Sequence, residues 1–82
     1  MFYVYILQSQ MTRKYYVGST QDVRNRLREH NHGESPSTRG GMPWEAVHIE
    51  ELPTRAEAVR KEKQIKARGI NRYLQSLAKP AI

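Results

Sequence analysis

Eighty-two residues without a cysteine leave no room for a second domain of ordinary size, a disulfide framework or a zinc–cysteine site. Fourteen lysines and arginines against eight acidic residues give a formal charge of +6 and a pI near 10.0, which points to a polyanionic partner, nucleic acid or a membrane surface; a generically basic protein is the plainer alternative. No apolar run approaches the roughly 20 residues of a spanning helix and no charged-then-apolar leader opens the chain, so a cytoplasmic protein without a membrane partner is expected.

"FYVYIL", Phe2 to Leu7, is aromatic and β-branched and predicts a strand, with Phe2, Val4 and Ile6 on one face and Tyr3, Tyr5 and Leu7 on the other. "SQMTR" is turn-like, and "KYYVG" predicts a second strand closing an antiparallel hairpin. A turn centred between Gln10 and Met11 would set Tyr5 opposite Tyr16. Ser19 or Thr20 can cap the helix that follows, with Ser19 and Asp22 at capping-box spacing, and that helix runs to about Asn31. "NHGESPSTRGGMP" is a loop on composition, and "WEAVHIEEL" a third strand. Thr54 and Glu57 form a capping box for the helix "RAEAVRKEKQIKAR", which Gly69 ends. Asn71 can cap a last helix carrying Tyr73, Leu74 and Leu77, and "KPAI" is a short tail. The expected fold is α/β of the α+β kind. It is one domain over 1–82, ordered over about 2–78, with a small three-stranded antiparallel sheet flanked by about three helices in the order β-β-α-β-α-α.

Two helices carry polar groups where a purely structural account would not put them. At 100° per residue, Val23 and Leu27 form the apolar stripe of the first helix, with His30 inside its edge and Arg26 beside it; Arg24 and Arg28 point to solvent. The bland alternative is an Asp22–Arg26 pair with His30 as a satisfied rim residue. On the second long helix the apolar face centres on Ala58, Val59 and Ile65. Glu62 then falls in its middle with Lys66 close by, while Glu57, Arg60, Gln64 and Arg68 take the outer side. A core-facing carboxylate is costly unless paired or bound to a metal. A Glu62–Lys66 pair is one account of it. A magnesium ligand in a cleft is the other, since that ion is often held by one or two carboxylates plus substrate phosphates. Arg60, Lys61, Lys63, Lys66 and Arg68 make this helix cationic, as a nucleic-acid footprint or a solvated face. Thr38-Arg39-Gly40-Gly41 lets backbone approach a phosphate, or is a plain flexible loop. His48 reads as a strand residue.

Tyr3-Val4-Tyr5 and Tyr16-Val17-Gly18 resemble the two halves of the GIY-YIG motif, with Tyr5 and Tyr16 eleven positions apart. Arg26 and His30 sit at the spacing the GIY-YIG nucleases use, and Glu62 matches that family's later metal-binding glutamate. The similarity spans nearly the whole chain and looks closest to small stand-alone bacterial members. Tyr3 stands where the motif has its first glycine, and Val4 where it has isoleucine.

The resemblance implies an enzyme, a divalent-metal-dependent endonuclease hydrolysing DNA phosphodiester bonds, with RNA left open as a partner. By analogy Glu62 binds one Mg²⁺ or Mn²⁺. Tyr5 helps activate the attacking water, supported by Tyr16 or His30. Arg26 holds the scissile phosphate, and Gly18 lets the backbone pass close to the site. Arg39, Arg60, Lys63 and Lys66 are the expected nucleic-acid contacts. The rivals are a module of the same fold that grips nucleic acid with little or no cleavage, and an adaptor that sets its cationic helix on an acidic protein.

Overall fold

A strand apolar on both faces needs cover on both, which makes it the centre of a sheet. Phe2–Ser9 (β1) is such a strand: Val4, Ile6, Tyr5 and Leu7 are each at most 1% exposed. In the computed structural model, which describes residues 1–78, Tyr15–Thr20 (β2) and Trp44–Leu52 (β3) flank it antiparallel, in the order β2-β1-β3. Val23–Asn31 (α1) precedes β3, and Arg55–Arg68 (α2) and Ile70–Ala78 (α3) follow it. The chain is therefore the expected β-β-α-β-α-α, α+β arrangement. Val4 and Ile6 pack with Val17, Ala58, Ile65 and Tyr73 under α2 and α3, whereas Tyr5 and Leu7 pack with Trp44, Val23 and Leu27 under α1.

The hairpin register differs from expectation. Tyr5 pairs with Gly18 and Leu7 with Tyr16, so Tyr5 is not opposite Tyr16. Ser9 decides this. Its backbone N–H donates to the Lys14 carbonyl at 2.9 Å, and its Oγ accepts from the N–H groups of Met11 at 3.1 Å and Thr12 at 2.9 Å. Arg13 closes the turn at φ 66°. The turn is thus centred between Met11 and Thr12, one residue further along the chain.

The caps divide. Thr54 caps α2 as expected, its Oγ1 accepting from Glu57 N–H at 3.2 Å. At α1 the cap is neither Ser19 nor Thr20: Asp22 itself accepts from Asn25 N–H at 3.0 Å, because β2 runs on to Thr20 and holds both residues extended. Asn71 does not cap α3. Gly69, at φ 99°, turns the chain so sharply that α3 starts at Ile70, and the Gly69 carbonyl accepts from Tyr73 N–H at 3.0 Å. The expected tail, 79–82, lies outside the described residues.

The α2/α3 face has a polar anchor. Glu50 accepts from the Tyr73 hydroxyl, lies 2.8 Å from His48 Nε2 and faces Lys61 Nζ at 3.7 Å. Burial pushes the Glu50 carboxyl up, but the Tyr73 and His48 hydrogen bonds and the Lys61 charge outweigh it and hold it below the usual glutamate range. A depressed carboxyl stabilises the fold above its unfolded pKa, near 4.3, and that contribution is lost as pH falls through the folded value. Glu50→Gln is therefore expected to melt below the wild type at pH 7, by the lower end of the roughly 1.5–3 kcal/mol typical of hydrogen bonds to a charge. The gap should narrow as pH drops below about 4. Thermal melts of both proteins across that range check it, and a gap independent of pH would remove Glu50 as the anchor.

Candidate functional site

The site begins where Tyr5 crosses β2. A Cβ on Gly18 would lie 2.5 Å from the Tyr5 hydroxyl oxygen and 2.8 Å from Cζ, so only glycine lets the phenol lie there. The hydroxyl sits 3.1 Å from His30 Nε2. His30 is fully buried, not a rim residue, and its Nδ1 is 2.7 Å from Thr38 Oγ1. The Tyr16 ring meets the imidazole edge-on at a centroid distance of 5.0 Å and Trp44 at 6.4 Å. Asn31, at the end of α1, grips the backbone of Trp44 through both amide atoms, accepting from its N–H at 2.6 Å and donating to its carbonyl at 2.9 Å. That clamp ties the helix bearing His30 to the start of β3.

Arg26 is half-buried at the edge of the same face. Its Nη1 donates to Glu29 at 2.8 Å, so the ion pair on α1 runs to Glu29 and not to Asp22, whose carboxylate is committed to the cap. Glu29 first and Tyr5 second raise the pKa of the Arg26 guanidinium. Arg24 and Arg28 are exposed, as the helical phase predicts.

From the other side of the sheet, α2 brings Glu62. It lies on the stripe between Ala58 and Ile65, yet a fifth of its side chain remains exposed and it meets Lys66 Nζ at 2.9 Å. The Glu62–Lys66 pair, one of the two accounts of this carboxylate, therefore forms. The Glu62 charge raises the Tyr5 pKa, as its smallest cause, and Tyr16 likewise acts on Lys66.

Burial pushes the Tyr5 phenol above its ordinary value; Arg26 opposes this, and Tyr16 and Glu62 add to it. Burial also pushes the His30 imidazole down, as does the Arg26 charge, with Glu29 partly offsetting them. His30 is thus neutral at pH 7, able to hold one proton and accept another.

Arg60 and Lys63 are exposed on α2, and Lys63 lies on the flank shared with Glu62 and Lys66. Arg39 is exposed, its Nε donating to the Gly33 carbonyl at 3.0 Å. Its loop is not plain: Arg39–Gly41 is a 3₁₀ turn, Thr38 and Gly41 are buried, and Trp44 Nε1 donates to the Thr38 carbonyl at 2.7 Å. A shallow cleft lined by Lys14, Tyr16, Ser37, Gly40 and Trp44 opens beside this turn. Ser9 and Asn31 are supporting residues that sequence reasoning missed, acting across 32 and 13 residues with no periodic signal, and Thr38, named there only within its loop, supports His30 through its side chain.

Among the described residues no three His, Cys, Asp or Glu side chains gather as a metal cage. One partly exposed carboxylate, Glu62, still fits magnesium, which keeps several waters and takes phosphate oxygens from a substrate.

The model of the GIY-YIG catalytic domain matches residues 1–73. The chain belongs to the GIY-YIG family. That match covers every element bearing the residues described above. Relatives of this GIY-YIG chain include a UPF0213 protein of Haloquadratum walsbyi, 44% identical over 79% of this chain and 73% of the relative, and one of Clostridium perfringens, 34% identical over 100% of this chain and 88% of the relative. The solution NMR structure of the UPF0213 protein BH0048 from Bacillus halodurans shares the fold with a TM-score of 0.58 and 32% identity, over 95% of this chain and 84% of that one. None of these names states an activity. The GIY-YIG family is one of nucleases that generally use a divalent metal, and its substrate class is nucleic acid. No helix among the described residues is long and apolar enough to cross a membrane.

Proposed function

We propose that the chain is a divalent-metal-dependent endonuclease that hydrolyses DNA phosphodiester bonds at the β2 edge. One observation carries this reading: the Tyr5 hydroxyl is hydrogen-bonded by His30 and lies within the influence of Arg26 and Glu62, which come from opposite faces of the sheet. Those are the groups such a reaction needs at one point. Tyr5 takes a proton from the attacking water and passes its own to His30 Nε2. The water oxygen bonds to phosphorus as the bond to the leaving oxygen breaks. Arg26, now held by Glu29, turns to the phosphate and stabilises its developing charge. Glu62 is the residue that would hold the metal, which supplies Lewis-acid charge at the phosphate. His30 is better supported than Tyr16 as the partner of Tyr5, since Tyr16 makes only a tilted ring contact at 6.4 Å where His30 hydrogen-bonds.

The test is nicking of supercoiled plasmid with Mg²⁺ or Mn²⁺. Nicking abolished by EDTA and restored by metal supports the reading. DNA binding without nicking under any metal favours the binding module, a reading to which the Glu62–Lys66 contact lends weight because it already engages the carboxylate.

The cationic flank of α2 and the 38–41 turn are proposed to hold the strand. Affinity should then fall steeply with salt, with a slope of about −0.9 per phosphate neutralised on duplex DNA. Charge reversal at Arg60 and Lys63 to Glu should weaken binding across sequences and reduce that slope by about one for each phosphate no longer neutralised. Binding titrations at several salt concentrations measure it, and an unchanged slope would take this helix out of the interface.

A further inference from the structure

The hydrogen-bond chain that begins at Tyr5 does not end at His30. Thr38 Oγ1, 2.7 Å from His30 Nδ1, also lies 3.4 Å from the carbonyl oxygen of Ser35. A carbonyl can only accept, so the threonine proton points there and its oxygen offers a lone pair to Nδ1. The far end of the chain accommodates the same direction: the Tyr5 hydroxyl is 3.1 Å from His30 Nε2, to which it can donate. A neutral imidazole carries one N–H, and the Thr38 lone pair places it on Nδ1.

We infer that Thr38 is a positioning residue that holds His30 as its Nδ1–H tautomer, leaving Nε2 as the acceptor for the Tyr5 proton. The order is Tyr5 O–H to Nε2, Nδ1–H to Thr38 Oγ1, and Thr38 O–H to the Ser35 carbonyl. The opposite order would turn Nε2–H on the Tyr5 oxygen, and His30 could then take no proton from it. Thr38 is well fixed for the role. It is 1% exposed, its N–H donates to the Ser35 carbonyl at 3.2 Å, and its own carbonyl accepts from Trp44 Nε1 at 2.7 Å and Gly41 N–H at 3.1 Å. Gly41 is held in turn by Ser9, whose hydroxyl donates to its carbonyl at 2.6 Å. The Thr38-Arg39-Gly40-Gly41 turn thus presents one hydroxyl to the back of the imidazole.

The consequence for cleavage rests on the proposed nuclease reading; the tautomer does not. Long-range ¹H–¹⁵N NMR of histidine-labelled protein reads the tautomer without any substrate. Wild type and Thr38→Ser should show a protonated Nδ1 and an unprotonated Nε2 at His30. Thr38→Val keeps the shape and removes the acceptor, so Nε2–H should become populated. Cleavage should fall about 10–100-fold, as with other partners that orient a functional histidine, with DNA binding retained and activity rescued by serine. An Nε2–H tautomer in the wild type would overturn the inference, as would an unaltered Nδ1–H tautomer in Thr38→Val. If the valine variant fails to fold, the wild-type and serine spectra still decide the question. The expected tautomers with no nicking by any variant would sink the nuclease reading alone.

Discussion

Arg26→Ala should lower DNA cleavage by about 100–1,000-fold, the loss typical of removing one group that stabilises transition-state charge. DNA binding should change far less. The fold should survive: the Arg26–Glu29 contact is an i, i+3 pair at the surface, screened by solvent. Arg24→Ala is the control, because Arg24 is exposed on the outer side of the same helix, two residues away. Both substitutions remove one positive charge from one turn of α1, so any long-range electrostatic effect on DNA is shared. Of the two arginines, only Arg26 acts on the Tyr5 phenol, holding its pKa down against burial. Single-turnover nicking rates beside equilibrium binding separate the two. Equal behaviour of the variants would reduce α1 to an electrostatic handle.

Glu62→Gln should separate stability from activity more sharply still. The Glu62–Lys66 contact, at 2.9 Å, joins a carboxylate that is 20% exposed to a lysine that is 57% exposed. At that exposure an i, i+4 pair is worth about 0.3–0.5 kcal/mol and is screened by salt. In a domain of this size, such a loss shifts the melting temperature by only about 1–4 °C. The amide keeps the shape and can still accept a hydrogen bond from Lys66. It is nevertheless a much poorer magnesium ligand than a carboxylate, so nicking should collapse. Thermal melts in EDTA and in magnesium, beside a nicking assay, measure both effects. A variant that melts far lower in EDTA yet still cuts would leave Glu62 as a salt-bridge partner and nothing more.

Features with a short repeat are legible in the sequence itself. The two apolar sets of β1 follow from the period of a strand. The inward His30 and outward Arg24 follow from the 100° step of a helix, and the α2 boundaries from Thr54 and Gly69. These depend on bond geometry and on groups a few residues apart. The hairpin register does not, because Ser9 sets it while also holding Gly41, 32 residues away. One shifted register places Gly18, not Tyr16, under the Tyr5 phenol, and that determines which residue must lack a side chain. The same limit hid the cap at Asp22, where strand pairing keeps Ser19 and Thr20 extended, and the burial of Thr38, which depends on Trp44 closing over its turn. Glu62 shows the division within one residue. Helical spacing puts it on the inner stripe beside Lys66. Only the packing of α2 across the sheet brings its charge to Tyr5, because sequence spacing orders groups along one element and carries no record of the distance between two.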